Sequence, residues 1–147
     1  MKKIIIISLV MILALNIVGC GADTAPDGSK IDVDLTKMSS TMVYSKVYEM
    51  VNGPDKFVGR KIKMNGLFNY YKDTKTKKEY FACLIQDATA CCAQGIEFKL
   101  KGKHKYPDDY PEKERELTVV GTWDTYTEVI DGKKQVFCIV KDAELIK

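Results

Sequence analysis

One histidine, one tryptophan and four prolines are all that 147 residues contain of those types. No glycine-rich phosphate cradle, nucleophile elbow or Ser/His/Asp set is present. General acid–base schemes lean most often on histidine, and the single copy, His104, lies in the lysine-rich run Lys101-Gly102-Lys103-His104-Lys105. These absences argue against an enzyme. A basic stripe is lacking too: 23 Lys and Arg are interspersed with 20 Asp and Glu, apart from clusters at residues 72–78 and 99–105. Nucleic acid, which a protein holds through concentrated positive charge, is therefore not an expected partner.

Long apolar runs are scarce as well, with one exception. Residues 4–18 are almost wholly apolar, follow Lys2 and Lys3, and close in Ile17-Val18-Gly19-Cys20. A basic start, a short apolar core and small residues at the cut make a secretory signal, and the run is short for a spanning helix. A cysteine directly after a small residue resembles the lipobox of bacterial lipoproteins. That resemblance implies cleavage before Cys20, diacylation of its thiol with palmitate-like chains, and a lipid anchor at the extracytoplasmic face of the cell membrane. At about 0.8 kcal/mol per buried CH₂, two chains hold a protein stably. The plainer readings are an ordinary secretory signal with Cys20 incidental, or an uncleaved anchor.

Three segments are expected: a signal peptide over 1–19, a lipid-anchored flexible tether over 20–36, and one folded domain over 37–147. Pro26-Asp27-Gly28-Ser29 centres the tether, whose polar, Gly- and Pro-containing composition buries too little apolar surface to fold. About 16 such residues reach roughly 20–25 Å. Loss of Lys2 and Lys3 with the signal brings the mature chain close to neutral.

Within the domain, Ser39-Ser40-Thr41 offers helix-capping oxygens, and Met42, Val43, Val47, Met50 and Val51 recur near helical spacing before Asn52-Gly53-Pro54. This predicts one short helix over 40–51. From Ile62 the apolar period changes to two, giving a strand over 62–70, a charged connection over 72–78 and a return strand over 79–86. Further strands are expected over 95–100, over 116–129 with a bulge at Gly121, and, after the Asp131-Gly132 turn, over 136–141 with an extension through 143–146. Residues 101–115 read as a polar loop. The fold class is all-β with one short N-terminal helix: a five-stranded OB-like barrel.

Two stretches, Phe57-Val58-Gly59-Arg60-Lys61-Ile62-Lys63-Met64-Asn65-Gly66 and Leu117-Thr118-Val119-Val120-Gly121-Thr122, resemble the OB-fold, tRNA-anticodon-binding-like domains found in bacterial lipoproteins. The segment Asp87-Ala88-Thr89-Ala90-Cys91-Cys92-Ala93-Gln94-Gly95-Ile96-Glu97-Phe98 is similar to the C-terminal domain of uncharacterised bacterial permease-associated subunits. The resemblance covers about residues 40–146 and implies a fold rather than an activity.

Cys91 and Cys92 form the sharpest local signal, and three readings compete. Two thiolates favour a thiophilic metal such as Zn²⁺; a closed zinc site needs four ligands, drawn here from Asp87, Glu97, His104, Cys83 or Cys138. A vicinal disulfide would be strained and easily reduced. Packing, or a bridge to Cys83 or Cys138, is the structural account. Cys83 and Cys138 sit in apolar strands and read as core or as a mutual disulfide. Aromatics between Phe68 and Tyr126 could stack single-stranded bases as OB folds do, but the near-neutral chain favours core and rim. The expected function is a membrane-anchored extracytoplasmic binding lipoprotein handling a metal or small ligand through Cys91 and Cys92. The alternative is an interaction module docking on a membrane permease or envelope protein, with structural cysteines.

Overall fold

A computed structural model describes residues 30–146. The signal segment, Cys20 and the tether up to residue 29 lie outside the described residues.

The domain is mostly β, one six-stranded sheet with one α-helix. The strands are β1 (Val33–Asp34), β2 (Lys61–Lys72), β3 (Glu79–Gln86), β4 (Ala93–Leu100), β5 (Glu116–Ile130) and β6 (Lys133–Ile146). Alternation drives β2: Ile62, Met64 and Phe68 are buried while Lys61, Lys63 and Asn65 are partly exposed. β2 pairs antiparallel with β5 over Lys61 to Leu67 and with β3 over Leu67 to Lys72. β3 pairs antiparallel with β4, β4 parallel with β6, and β6 antiparallel with β5. The hydrogen-bonded order therefore returns to β2, and each of these strands has a partner on both sides along part of its length.

Gly66 stands where β2 exchanges one partner for the other. A Cβ there would lie 2.4 Å from the Leu84 carbonyl oxygen and 2.8 Å from Cys83 Sγ, so only hydrogen fits. Gly121, expected at a bulge, sits at the register shift between Val120 and Thr122, with Lys141 O 2.6 Å from where its Cβ would be.

The helix α1 (Ser40–Asn52) buries Val47 and Met50 against the sheet, with Val43 and Val51 packed beside them. Met42, expected on the same face, is exposed: at about 100° per residue it lies on the side of Val43 away from Val47 and opposite Val51, outside the buried arc. Ser39 takes the extended geometry of a cap without a side-chain cap bond. The helix ends at Gly53, whose N–H donates to Glu49 O at 3.0 Å, and Pro54 follows.

Three further expectations are corrected. The sheet reaches back into the stretch read as tether: β1 pairs parallel with Ile62 and Lys63, Val33 and Leu35 are buried, and Asp32 N–H donates to Lys61 O at 2.8 Å. This makes six strands where five were expected. The last strand is continuous over Lys133–Ile146 rather than divided, running past Asp142 at positive φ. Finally, the loop over 101–115 is not simply solvated: Tyr106 stacks on Tyr70 at 4.0 Å and Tyr110 on Phe81 at 4.1 Å, covering one end of the core.

Candidate functional site

β4 is the strand around which the sheet opens. Its ladder with β3 covers only Ala82 to Gln86 against Ala93 to Glu97. Beyond it β3 extends back to Glu79 alongside β2, while β4 continues to Leu100 alongside β6. A cleft of about 370 Å³ lies at this parting, lined by Glu79, Phe81, Glu97, Lys99, Tyr110 and Tyr126. The ladder between β4 and β6 starts only at Glu97 and Ile139, so Gln94 to Ile96 and Val136 to Cys138 are not paired with each other. A second hollow of about 530 Å³ lies there, lined by Tyr80, Ala82, Gly95, Ile96, Phe137 and Cys138. Glu97 borders both hollows.

A bridge of side chains crosses above Glu97. The Tyr126 hydroxyl donates to Glu97 Oε2, and Lys78 Nζ donates to Glu128 Oε1. The Lys78 ammonium also lies over the rings of Tyr80, at 4.9 Å, and Tyr126, at 5.2 Å. Tyr80 donates to Glu128 Oε2 at 3.4 Å. Phe137 stacks on Tyr126 with ring centres 5.5 Å apart. Burial pushes the Glu97 carboxyl above its ordinary value, against the Tyr126 hydrogen bond and the Lys78 charge, which lower it. Burial and the neighbouring Glu97 likewise push the Tyr126 phenol up.

A raised carboxyl binds its proton more tightly folded than unfolded. Its contribution to stability is present at acid pH and is lost as pH rises from the unfolded value through the folded one. Glu97→Gln should therefore raise the melting temperature relative to wild type at pH 7 and leave little difference near pH 4. Melting curves at both pH values test this, and an equal difference at both would show that Glu97 carries no such shift.

The residues expected to surround a metal fall into separate groups: Asp87, Cys91 and Cys92 share one turn, whereas Glu97 and His104 line the smaller cleft. Cys91 and Cys92 are exposed on the turn between β3 and β4. Asp87 is occupied in that turn: it accepts N–H bonds from Thr89 at 3.1 Å and Cys91 at 3.0 Å. Against burial, which opposes it, hydrogen bonds from Thr89, Cys92 and Cys91 hold this carboxyl below its usual value. His104 follows the far end of β4, whose eight residues span roughly 25 Å at about 3.3 Å each. Its Nε2 lies 2.7 Å from Lys101 O and its Nδ1 3.6 Å from Asp109. Glu97 is bound to Tyr126. Cys83 is fully buried, and burial pushes its thiol up to about 12, which disfavours the thiolate a metal needs. Among the described residues no group of three or more His, Cys, Asp or Glu is placed to hold a metal ion. The donor set proposed from sequence thus does not fit a closed four-ligand zinc site. The four described cysteines are free: of the two readings of Cys83 and Cys138, core packing holds and the mutual disulfide is not formed.

Sequence reasoning missed Tyr110, which lines the smaller cleft, and Tyr106, which packs beside it on Tyr70 and Phe81. The available signal was the repeated Tyr-Pro pair at 106–107 and 110–111, an aromatic fixed in a rigid loop twice.

Comparison with protein families, curated proteins and solved structures finds no match to this chain. Among the described residues no helix is long and apolar enough to cross a membrane.

Proposed function

We propose that the chain is a membrane-anchored, extracytoplasmic binding lipoprotein, lipidated at Cys20, whose OB-like barrel takes a small ligand in the paired hollows around Glu97. The ring of pairings supports the barrel. Counting from β2, it runs first, second, third, fifth, fourth and back to first, with one parallel contact, and is partly open at β4. OB folds present ligands to their second and third strands, which are β3 and β4 here.

The observation that carries the reading is the shared border. Two hollows of about 370 and 530 Å³, each in the size range of small-molecule sites, meet at one half-buried carboxyl. The larger is walled mainly by apolar groups, the smaller by Glu79, Lys99 and aromatic rings. The complementary ligand has an apolar body and a hydrogen-bonding head reaching Glu97. Isothermal titration with a panel of such amphiphilic metabolites tests this. Glu97→Ala should weaken any hit by about 10- to 100-fold, the roughly 1.5–3 kcal/mol of a hydrogen bond to a charged group. A panel without hits, or hits indifferent to Glu97, would sink the reading.

The second reading, docking on a permease or envelope protein, is favoured by the β5–β6 hairpin. Beyond Trp123 and before Ile139 these strands pair only with each other, and Val129 and Val136 are 66% and 62% exposed. A charged replacement at Val129, which lines neither hollow, would abolish a pulled-down partner on this reading and leave small-ligand binding intact.

A further inference from the structure

Cys91 and Cys92 lie outside the groove, and the turn that carries them has its own chemistry. Asp87 gathers it: Asp87 N–H donates to Cys92 O at 2.9 Å, and Ala90 N–H donates to Asp87 O at 3.1 Å. Its carboxylate accepts from the Thr89 amide, the Thr89 hydroxyl and the Cys91 amide, each within 3.1 Å. Ala90 turns the chain at a positive φ of 55°. The β4 ladder begins at Ala93, so neither cysteine is tied to the alternating faces of a strand. Both are exposed, whereas Cys83 is buried and Cys138 half-buried, with thiols pushed up by burial.

We infer that Cys91 and Cys92 form a reversible thiol–disulfide exchange site whose co-reactant is a small-molecule or protein disulfide. One cysteine thiolate attacks a sulfur of the co-reactant; the co-reactant's S–S bond breaks, a mixed disulfide forms and one thiol is released. The adjacent cysteine, its proton passing to water, then attacks the protein sulfur of that mixed disulfide. The second co-reactant thiol leaves, and Cys91 and Cys92 are joined. The protein loses two electrons and two protons, and the co-reactant disulfide gains both. Adjacent Cα atoms are about 3.8 Å apart, below the roughly 4.4–6.8 Å that disulfides usually span. The closed form is therefore strained and readily reduced, which suits exchange and not a permanent staple. Closure must twist the 91–92 backbone and so disturbs the Asp87 bonds to Cys91 and Cys92. The inference rests on this turn and is independent of the ligand groove.

The test uses the full chain in mild detergent, equilibrated with reduced and oxidised glutathione and read by intact mass and peptide mapping. Wild type should form an internal Cys91–Cys92 disulfide with little retained glutathione. Cys91→Ser and Cys92→Ser should each accumulate the mixed disulfide, because the resolving thiol is gone. Amide hydrogen exchange at Thr89 and Cys91 should speed up on oxidation and recover on reduction. Wild type that keeps glutathione as a stable adduct, forms disulfide-linked dimers, or stays reduced would overturn the assignment. So would zinc, added alone, that binds both thiols tightly enough to keep them reduced in oxidised glutathione.

Discussion

If Cys20 is the lipidation site, Cys20→Ser should lose its fatty-acid label entirely and, once its signal is cut elsewhere, leave the membrane for the soluble extracytoplasmic fraction. The effect is close to all-or-none. Two palmitate-like chains at about 0.8 kcal/mol per buried CH₂ contribute on the order of 20 kcal/mol, and no exposed side-chain contact replaces that. The described domain offers no helix able to cross a membrane in the anchor's stead. Fractionation with metabolic acyl labelling reads the result, and a membrane-bound, labelled Cys20→Ser protein would remove the lipoprotein reading altogether.

Trp123→Ala has the largest expected effect on the folded domain. Trp123 is 1% exposed and is the bulkiest fully buried side chain. Its backbone sits at the end of the β2–β5 seam, where Trp123 N–H donates to Arg60 O and Gly59 N–H donates to Trp123 O, both at 2.9 Å. Removing a buried aromatic of this size costs about 3–5 kcal/mol, through lost transfer energy and the cavity left behind. A small domain has only about 5–15 kcal/mol in total. Urea unfolding should show the midpoint falling steeply with the cooperativity retained. Met42→Ala, at an exposed helix position, should stay within about 0.5 kcal/mol of wild type. Comparable losses in both variants would mean that the core is not organised around Trp123.

The strands that could be read from sequence are those with one face in the core. β2 alternates over Ile62, Met64 and Phe68, and β3 is bracketed by turn residues, so both were legible nearly to their ends. β1 was not, because two residues cannot display a period; Val33 becomes a strand only through pairing with Ile62, far along the chain. The unity of β6 was hidden by Lys141-Asp142, a polar pair at a bulge in β6 itself, which gains one residue there on both β4 and β5. Composition drew attention to Cys91 and Cys92, but spacing could not say that Asp87 is consumed by their turn or that His104 lies at the far end of β4. Glu97 reads from sequence only as a spare ligand. Its partner Tyr126 is 29 residues away, and only the closing of β5 over β3 and β4 brings them together. The site is a product of the ring of pairings, which leaves no local trace.

The groove around Glu97 is the centre of the proposed function, and its most direct test is native mass spectrometry of the full chain extracted from membranes in mild detergent. Wild type should be compared with Ala82→Trp, in which the indole fills the larger hollow. Wild type should carry a small-molecule mass that is lost on denaturation and missing from a folded Ala82→Trp protein. The same bound mass on both proteins, or none on either, would contradict the proposed function.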